Sequence, residues 1–174
     1  TVPFAIPFTR EVADKWREIT GCRLDNFGYA LGTESFNYCA CGGLGIEDPF
    51  EDPGAVGVGT LAPGTKIKIV DFETRKELPL GQRGEIVVKC PSQVKCYWNK
   101  PEINAKEIVD GWMYSGDIGA LKEDGMVYYY GRHRDIIKVT GYIMAPRELE
   151  VLGLANPAID KIVAIGIPHP KKME

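Results

Sequence analysis

"GDIGALKEDGMVYYYG", residues 116–131, decides how the middle of this chain folds. Two strand-like runs flank Glu123-Asp124-Gly125, so the stretch predicts two strands joined by a tight turn. The same texture continues outward. "TKIKIVD" (65–71) alternates apolar and polar residues, "KELPLGQRG" (76–84) reads as a turn, and "EIVVKC" (85–90) as another strand. "EINAKEIVDG" (102–111) predicts a short helix ending near Gly111. Upstream, "REVADKWREIT" (10–20) sets Val12, Ala13, Trp16 and Ile19 on one helical stripe, with Gly21 as the stop. Downstream come "YIM", a helix opening near Pro146 and a strand "KIVAIGI" (161–167). The expected organisation is a helix-and-loop start, a β-rich middle and a β-α-β tail. The tail from Asp135 onward is near the size below which a domain rarely stands alone.

The totals describe a globular protein: 174 residues, 44% hydrophobic, 26% charged, with a net charge of −3. Nothing at the whole-chain level points to nucleic acid or an anionic membrane. No apolar run reaches the ~20 residues a membrane helix needs. The first twelve residues, broken by prolines and charge, do not read as a signal peptide. Five cysteines without a regular framework favour reduced thiols and a cytoplasmic setting. Cys39 and Cys41 form CxC but would need two distant partners to make a zinc site, and the two histidines, His133 and His169, lack ligand-like spacing.

Three stretches could carry chemistry. In "LGTES" (31–35), Gly32 allows close backbone approach, Thr33 offers a hydroxyl and Glu34 offers hard oxygens, a set suited to a phosphate with its Mg²⁺. Gly-Thr-Glu is also a common turn or helix cap. In "GWMYSGDIG" (111–119), the Asp117 carboxylate could accept from both hydroxyls of a ribose, or Ser-Gly-Asp could simply turn the chain. In "YYYGRHRDIIKVTGYIMAPRELE" (128–150), Arg132 offers a fork of donors for a phosphate or ribose, and Lys138 is a mobile charge. Arg134 and Asp135 lie where one β-region ends and another begins, so a dihedral change there would swing the chain beyond them. The alternative is a solvated basic turn.

Taken in order, these stretches resemble the adenylate-forming enzymes, the acyl-CoA synthetases with their luciferase and peptide-synthetase relatives. The resemblance runs from about residue 10 to the end. "VGVGTLAPGTKIKIVD", "GQRGEIVVKCPSQVKCYWNKPE", "DGWMYSGDIG" and "YGRHRDIIKVTGYIMAPRELE" are each similar to a motif of that family, with Ser115 standing where the family has threonine. The resemblance implies that Thr33 contacts the α-phosphate, Glu34 holds Mg²⁺, Asp117 binds the ribose hydroxyls and Arg132 contacts the ribose or phosphate. It makes Arg134 the hinge of a C-terminal domain, with Lys138 and Gly141 on the face shown to coenzyme A. The implied reaction joins a carboxylic acid to ATP as an acyl-adenylate, then to coenzyme A. An adenylation domain loading a carrier protein and a binding module without catalysis are the alternatives.

The sequence departs from the family's pattern in three places. Leu31 stands where the motif has glycine and Ala30 where it has an aromatic. Neither a Gly/Ser/Thr-rich phosphate loop nor the family's C-terminal catalytic lysine is found, so the chain alone is expected not to adenylate. The implied fold is α+β. Residues 1–133 form the end of a large domain, with a small distorted β-barrel over about 46–131, and residues 134–174 begin a truncated α/β lid. Exposed former core surface would let such a piece associate with itself.

Overall fold

A computed structural model of the chain describes residues 10–22, 32–35, 40–41, 54–139 and 142–167. Helix α1 (Arg10–Thr20) ends where Gly21 takes φ 69° and its N–H bonds the Arg17 carbonyl at 2.8 Å. Strands β1 (Ala40–Cys41), β2 (Val56–Leu61), β3 (Lys66–Val70) and β4 (Gly84–Lys89) come next. After them lie α2 (Pro101–Glu107), β5 (Ile108–Val109), β6 (Trp112–Leu121) and β7 (Val127–Arg132). All pairings are antiparallel and the main sheet runs β1-β2-β7-β6-β4-β3, with β5 beside β6.

Among the described residues no ladder joins β3 to β1. The described residues form a mixed α/β arrangement around an antiparallel sheet.

Period-2 alternation decides what each face buries. Ile67 and Ile69 of β3, Ile86 and Val88 of β4, and Val127 of β7 meet Val56 and Val58 in one cluster. Ile118 and Ala120 of β6 join Met126, Tyr128 and Tyr130 in the other. Strand β4 is buried on both faces, with Ile86, Val87 and Val88 fully enclosed.

The predicted turn at 123–125 forms as expected. Gly125 takes φ 80° and donates to the Lys122 carbonyl at 3.0 Å, and Lys122 N–H bonds the Met126 carbonyl at 2.9 Å.

Two expectations need correction. The helix over 102–111 stops at Glu107, because Ile108 and Val109 pair with Met113 and Trp112 across a turn. Asp110 (φ 52°) and Gly111 (φ 74°) both enter the left-handed region there, as a tight Asp-Gly hairpin requires. The strand expected over 161–167 has no ladder partner among the described residues. Val163, Ile165 and Ile167 stay exposed, and Ala164 N–H donates to Glu150 Oε1 at 3.1 Å instead. Alternation makes a strand only where a neighbouring edge supplies the hydrogen bonds.

Beyond Arg132 a single 3-10 turn (His133–Asp135) leads into the hairpin β8 (Ile137–Val139) and β9 (Tyr142–Met144), then helix α3 (Pro146–Leu154). Glu148 caps the start of α3 by accepting from Ala145 N–H at 3.1 Å. Its other oxygen meets Arg83 at 2.8 Å, which fastens α3 to the turn before β4. Arg83 also lies over the Tyr130 ring at 3.9 Å.

A candidate nucleotide site at a bulge in strand β6

Strand β4 gives one residue, Ile86, where β6 gives three. Glu85 opposes Ile118 and Val87 opposes Tyr114, so Ser115, Gly116 and Asp117 bulge out of the ladder. Side chains replace the lost backbone bonds. Ser115 Oγ donates to the Ile86 carbonyl at 2.6 Å and accepts from Asp117 N–H at 3.0 Å. Gly116 takes φ 67° and its N–H bonds Glu85 Oε1 at 2.9 Å.

Across the next ladder Asp117 is paired with Arg132. The guanidinium Nε lies 3.0 Å from Asp117 Oδ1, and Nη1 donates to the Ser115 carbonyl at 3.3 Å. The pair is lopsided: the Asp117 side chain is 5% exposed and that of Arg132 50%.

In front of this bulge lies an open cavity of about 380 Å³. Its walls include Gly32 and Glu34 from the 3-10 turn Gly32–Glu34, Tyr97, Glu107, Ser115, Gly116, Arg132, His133 and Arg134. The turn is docked by the segment after β4, for Val94 N–H donates to the Glu34 carbonyl at 2.8 Å and Ser92 Oγ to that of buried Ser35. Tyr97 Oη donates to Glu34 Oε1 at 3.2 Å. Burial, helped by the Glu34 and Glu107 charges, pushes the Tyr97 hydroxyl up to about 12, so it remains a donor. Burial likewise lifts Tyr129 to about 12, with the Asp117 charge adding to it.

The cavity thus gathers Glu34, Ser115 and the pair Arg132 and Arg134 from three distant stretches. Asp117 sits just behind the wall, covered by Arg132. Lys138 is not in this cavity: it is exposed on β8 and lines a separate cleft of about 940 Å³ with Glu150 and the 163–167 segment. Arg134 borders both spaces, largely exposed, with Asp135 at 3.5 Å. The Thr33 backbone lies in the turn beside Glu34, but its side chain and all of Gly141 fall outside the described residues.

Four contributors were not predicted from sequence as site residues: Tyr97, Glu85, Glu107 and His133, which stacks on Phe72 at 3.8 Å. Tyr97 and Glu85 both sit inside stretches already matched to family motifs, and that is the signal which could have found them. Among the described residues no group of three or more His, Cys, Asp or Glu could hold a metal ion, and Cys22, Cys90 and Cys96 are free thiols. No described helix is long and apolar enough to cross a membrane.

The model of the AMP-binding enzyme family matches residues 4–98, more than half of the chain. The chain is 31% identical over 164 residues to the long-chain-fatty-acid–CoA ligase of Escherichia coli O6:H1, covering 94% of this chain and 28% of that protein. Its fold superposes on the ATP-bound structure of MatB from Rhodopseudomonas palustris with a TM-score of 0.80 and 32% identity, covering 97% of this chain and 32% of that one. It also superposes on o-succinylbenzoate CoA synthetase (MenE) from Bacillus subtilis in complex with its acyl-adenylate intermediate, OSB-AMP. There the TM-score is 0.78 and the identity 27%, with 97% of this chain and 33% of that one covered. The class that these superpositions define is a mixed α/β fold built on an antiparallel sheet. The chain belongs to the family of AMP-binding enzymes, and it spans about a third of the length of the relatives it matches.

Proposed function

We infer that the chain supplies the ribose and metal side of the nucleotide site in an ATP-dependent, AMP-forming acyl-CoA synthetase. The observation that carries this is the Asp117–Arg132 pair at 3.0 Å, set on a glycine bulge behind a cavity that Glu34 also lines. Arg132 is half in solvent, so its guanidinium can turn toward a phosphate and leave the Asp117 carboxylate to accept from ribose hydroxyls.

A free carboxylate resists attack because its leaving group would be oxide, and bonding it to AMP provides a better one. The residues here position and neutralise rather than react. Glu34 presents hard oxygens of the kind Mg²⁺ takes, with Tyr97 Oη fixing one of them. Mg²⁺ held there would offset phosphate charge. Thr33 completes the phosphate side.

In this proposal residues 1–133 are the end of a large domain whose sheet closes as a small barrel over about 46–131. Residues 134–174 begin a lid that turns about Arg134. The 3-10 turn carrying Arg134 lies between extended backbone at Arg132 and Ile136, a short joint between two packed units. Lys138 and Gly141 then belong to the face offered to coenzyme A. The free thiols fit a cytoplasmic setting.

The test is titration calorimetry of AMP and of ATP with Mg²⁺ against the chain. Saturable AMP binding, without pyrophosphate release from ATP and an acid, is the expected result. Absence of any nucleotide binding would sink the proposal.

The Arg83–Glu148 contact supplies a check on the joint. Both side chains are partly exposed, so Arg83→Ala is expected to lower stability by only about 1 kcal/mol or less. Backbone amides of α3 should nevertheless exchange hydrogen faster in that variant, while those of β4 stay protected. Unchanged exchange in α3 would mean that the clamp does not hold it.

A further inference from the structure

Glu85 is a buried carboxylate in a strand whose next three residues are fully enclosed and apolar. Packing alone favours an apolar side chain there, since burying a charge is costly unless it is paired. Its Oε1 accepts from the N–H of Gly116 at 2.9 Å, the middle residue of the bulge that carries Asp117. We propose that Glu85 is a positioning residue: it sets the Gly116 peptide so that Asp117 faces a ribose, and thereby gives the site its selectivity for ribonucleotides. The inference rests on the nucleotide function proposed above.

The geometry favours Glu85 over its neighbours in this role. Gly116 lies in the left-handed region, and a Cβ there would meet nothing within 4 Å, so no neighbouring side chain presses on this residue from its Cβ side. The two Ser115 hydroxyl bonds fix the residues on either side, at Ile86 and Asp117. A hydrogen bond to an ionised acceptor is roughly twice as strong as a neutral one, which makes Glu85 the firmest anchor on the Gly116 peptide.

The groups facing Glu85 fit this role. Arg75, from the turn after β3, and His133, from the 3-10 turn, both favour its charged form, while Asp117 on β6 opposes it. Burial outweighs them and raises its pKa above the ordinary value.

The experiment compares AMP with 2′,3′-dideoxy-AMP by titration calorimetry on the 174-residue chain, on Glu85→Gln and on Glu85→Met, with thermal melts alongside. Methionine keeps the length without an acceptor and suits the apolar strand, so Glu85→Met is expected to fold at least as well as the unsubstituted chain. The unsubstituted chain should prefer AMP by about tenfold or more, and Glu85→Met should reduce that preference to about twofold or less. Glu85→Gln should restore it, because the amide oxygen can still accept from Gly116.

A folded Glu85→Met that keeps the full preference overturns the inference. So does an equal loss of both ligands, which would give Glu85 a role in the fold alone. AMP binding without ribose preference in the unsubstituted chain removes this inference but leaves the nucleotide site standing. No AMP binding at all removes both.

Discussion

Gly84→Ala is expected to destabilise the fold by about 3 kcal/mol, the upper end of what overpacking a core ordinarily costs. A methyl at residue 84 would overlap the backbone carbonyl of Val70, with Leu78 Cδ1 only 2.6 Å and Ile69 Cγ2 3.0 Å away. The side chains could adjust, but the carbonyl cannot, because Val70 pairs with Glu85 in the β3–β4 ladder. Gly84 also stands opposite Gly119 in the β4–β6 register, where the sheet tolerates no bulk. A Cβ on Gly119 would collide with fully buried Ile86 and come within 2.9 Å of the Tyr128 carbonyl.

A control lies three residues away. Gly81 takes φ 82°, yet a Cβ there would meet nothing within 4 Å, so Gly81→Ala should cost only the left-handed strain of about 1–2 kcal/mol. Urea unfolding followed by tryptophan fluorescence distinguishes the two. Equal midpoints for both alanine variants would mean that crowding at Gly84 is relieved by a shift of the hairpin. The larger loss should also weaken AMP binding, since Glu85 and Ile86 come directly after and both anchor the bulge.

Much of this was legible in the chain because the sheet is built from local signals. Alternation in "TKIKIVD" and "EIVVKC" and the turn at 123–125 are period-2 patterns closed by turn residues, and they form as expected. The errors arose where the outcome depends on a partner distant in sequence. Ile108 and Val109 fit the end of a helix until the Asp110-Gly111 turn brings Trp112 and Met113 alongside. "KIVAIGI" alternates as a strand should, but no described edge pairs with it.

The site shows the same division. Glu34, Asp117 and Arg132 could be named from ordered motifs. The bulge that displaces Asp117 from the ladder depends on a count of three residues against one across two strands, and no single stretch carries that. Proximity in sequence groups Lys138 with Arg132, but the 3-10 turn between them sends it to a different cleft.

Arg132→Met and Asp117→Asn should damage opposite properties, although they break the same 3.0 Å contact. Losing Arg132 takes the guanidinium from a carboxylate that is 5% exposed and poorly reached by water, so the fold should lose about 2 kcal/mol. Asp117 has a further interaction besides this pair, which keeps the loss below the cost of stranding a fully isolated charge. Losing the Asp117 charge leaves a guanidinium that is 50% exposed and can be hydrated, so Asp117→Asn should cost the fold about 1 kcal/mol or less.

Binding should reverse the order according to which part of the ligand is probed. Asp117→Asn turns one of two acceptor oxygens into a donor, so the preference for AMP over 2′,3′-dideoxy-AMP should fall by about tenfold. Arg132→Met removes the fixed charge, so the preference for AMP over adenosine should fall by a similar factor of about ten. The preference each variant is not aimed at should move by only about twofold, within the context dependence of single hydrogen bonds. Urea melts and three titrations per variant settle it. If both variants lose both preferences together, the pair is one structural unit behind the cavity wall and neither side chain touches the nucleotide by itself. If the preferences separate as described, Arg132 leaves Asp117 when ligand arrives, and the closed pair is the resting state of an open site.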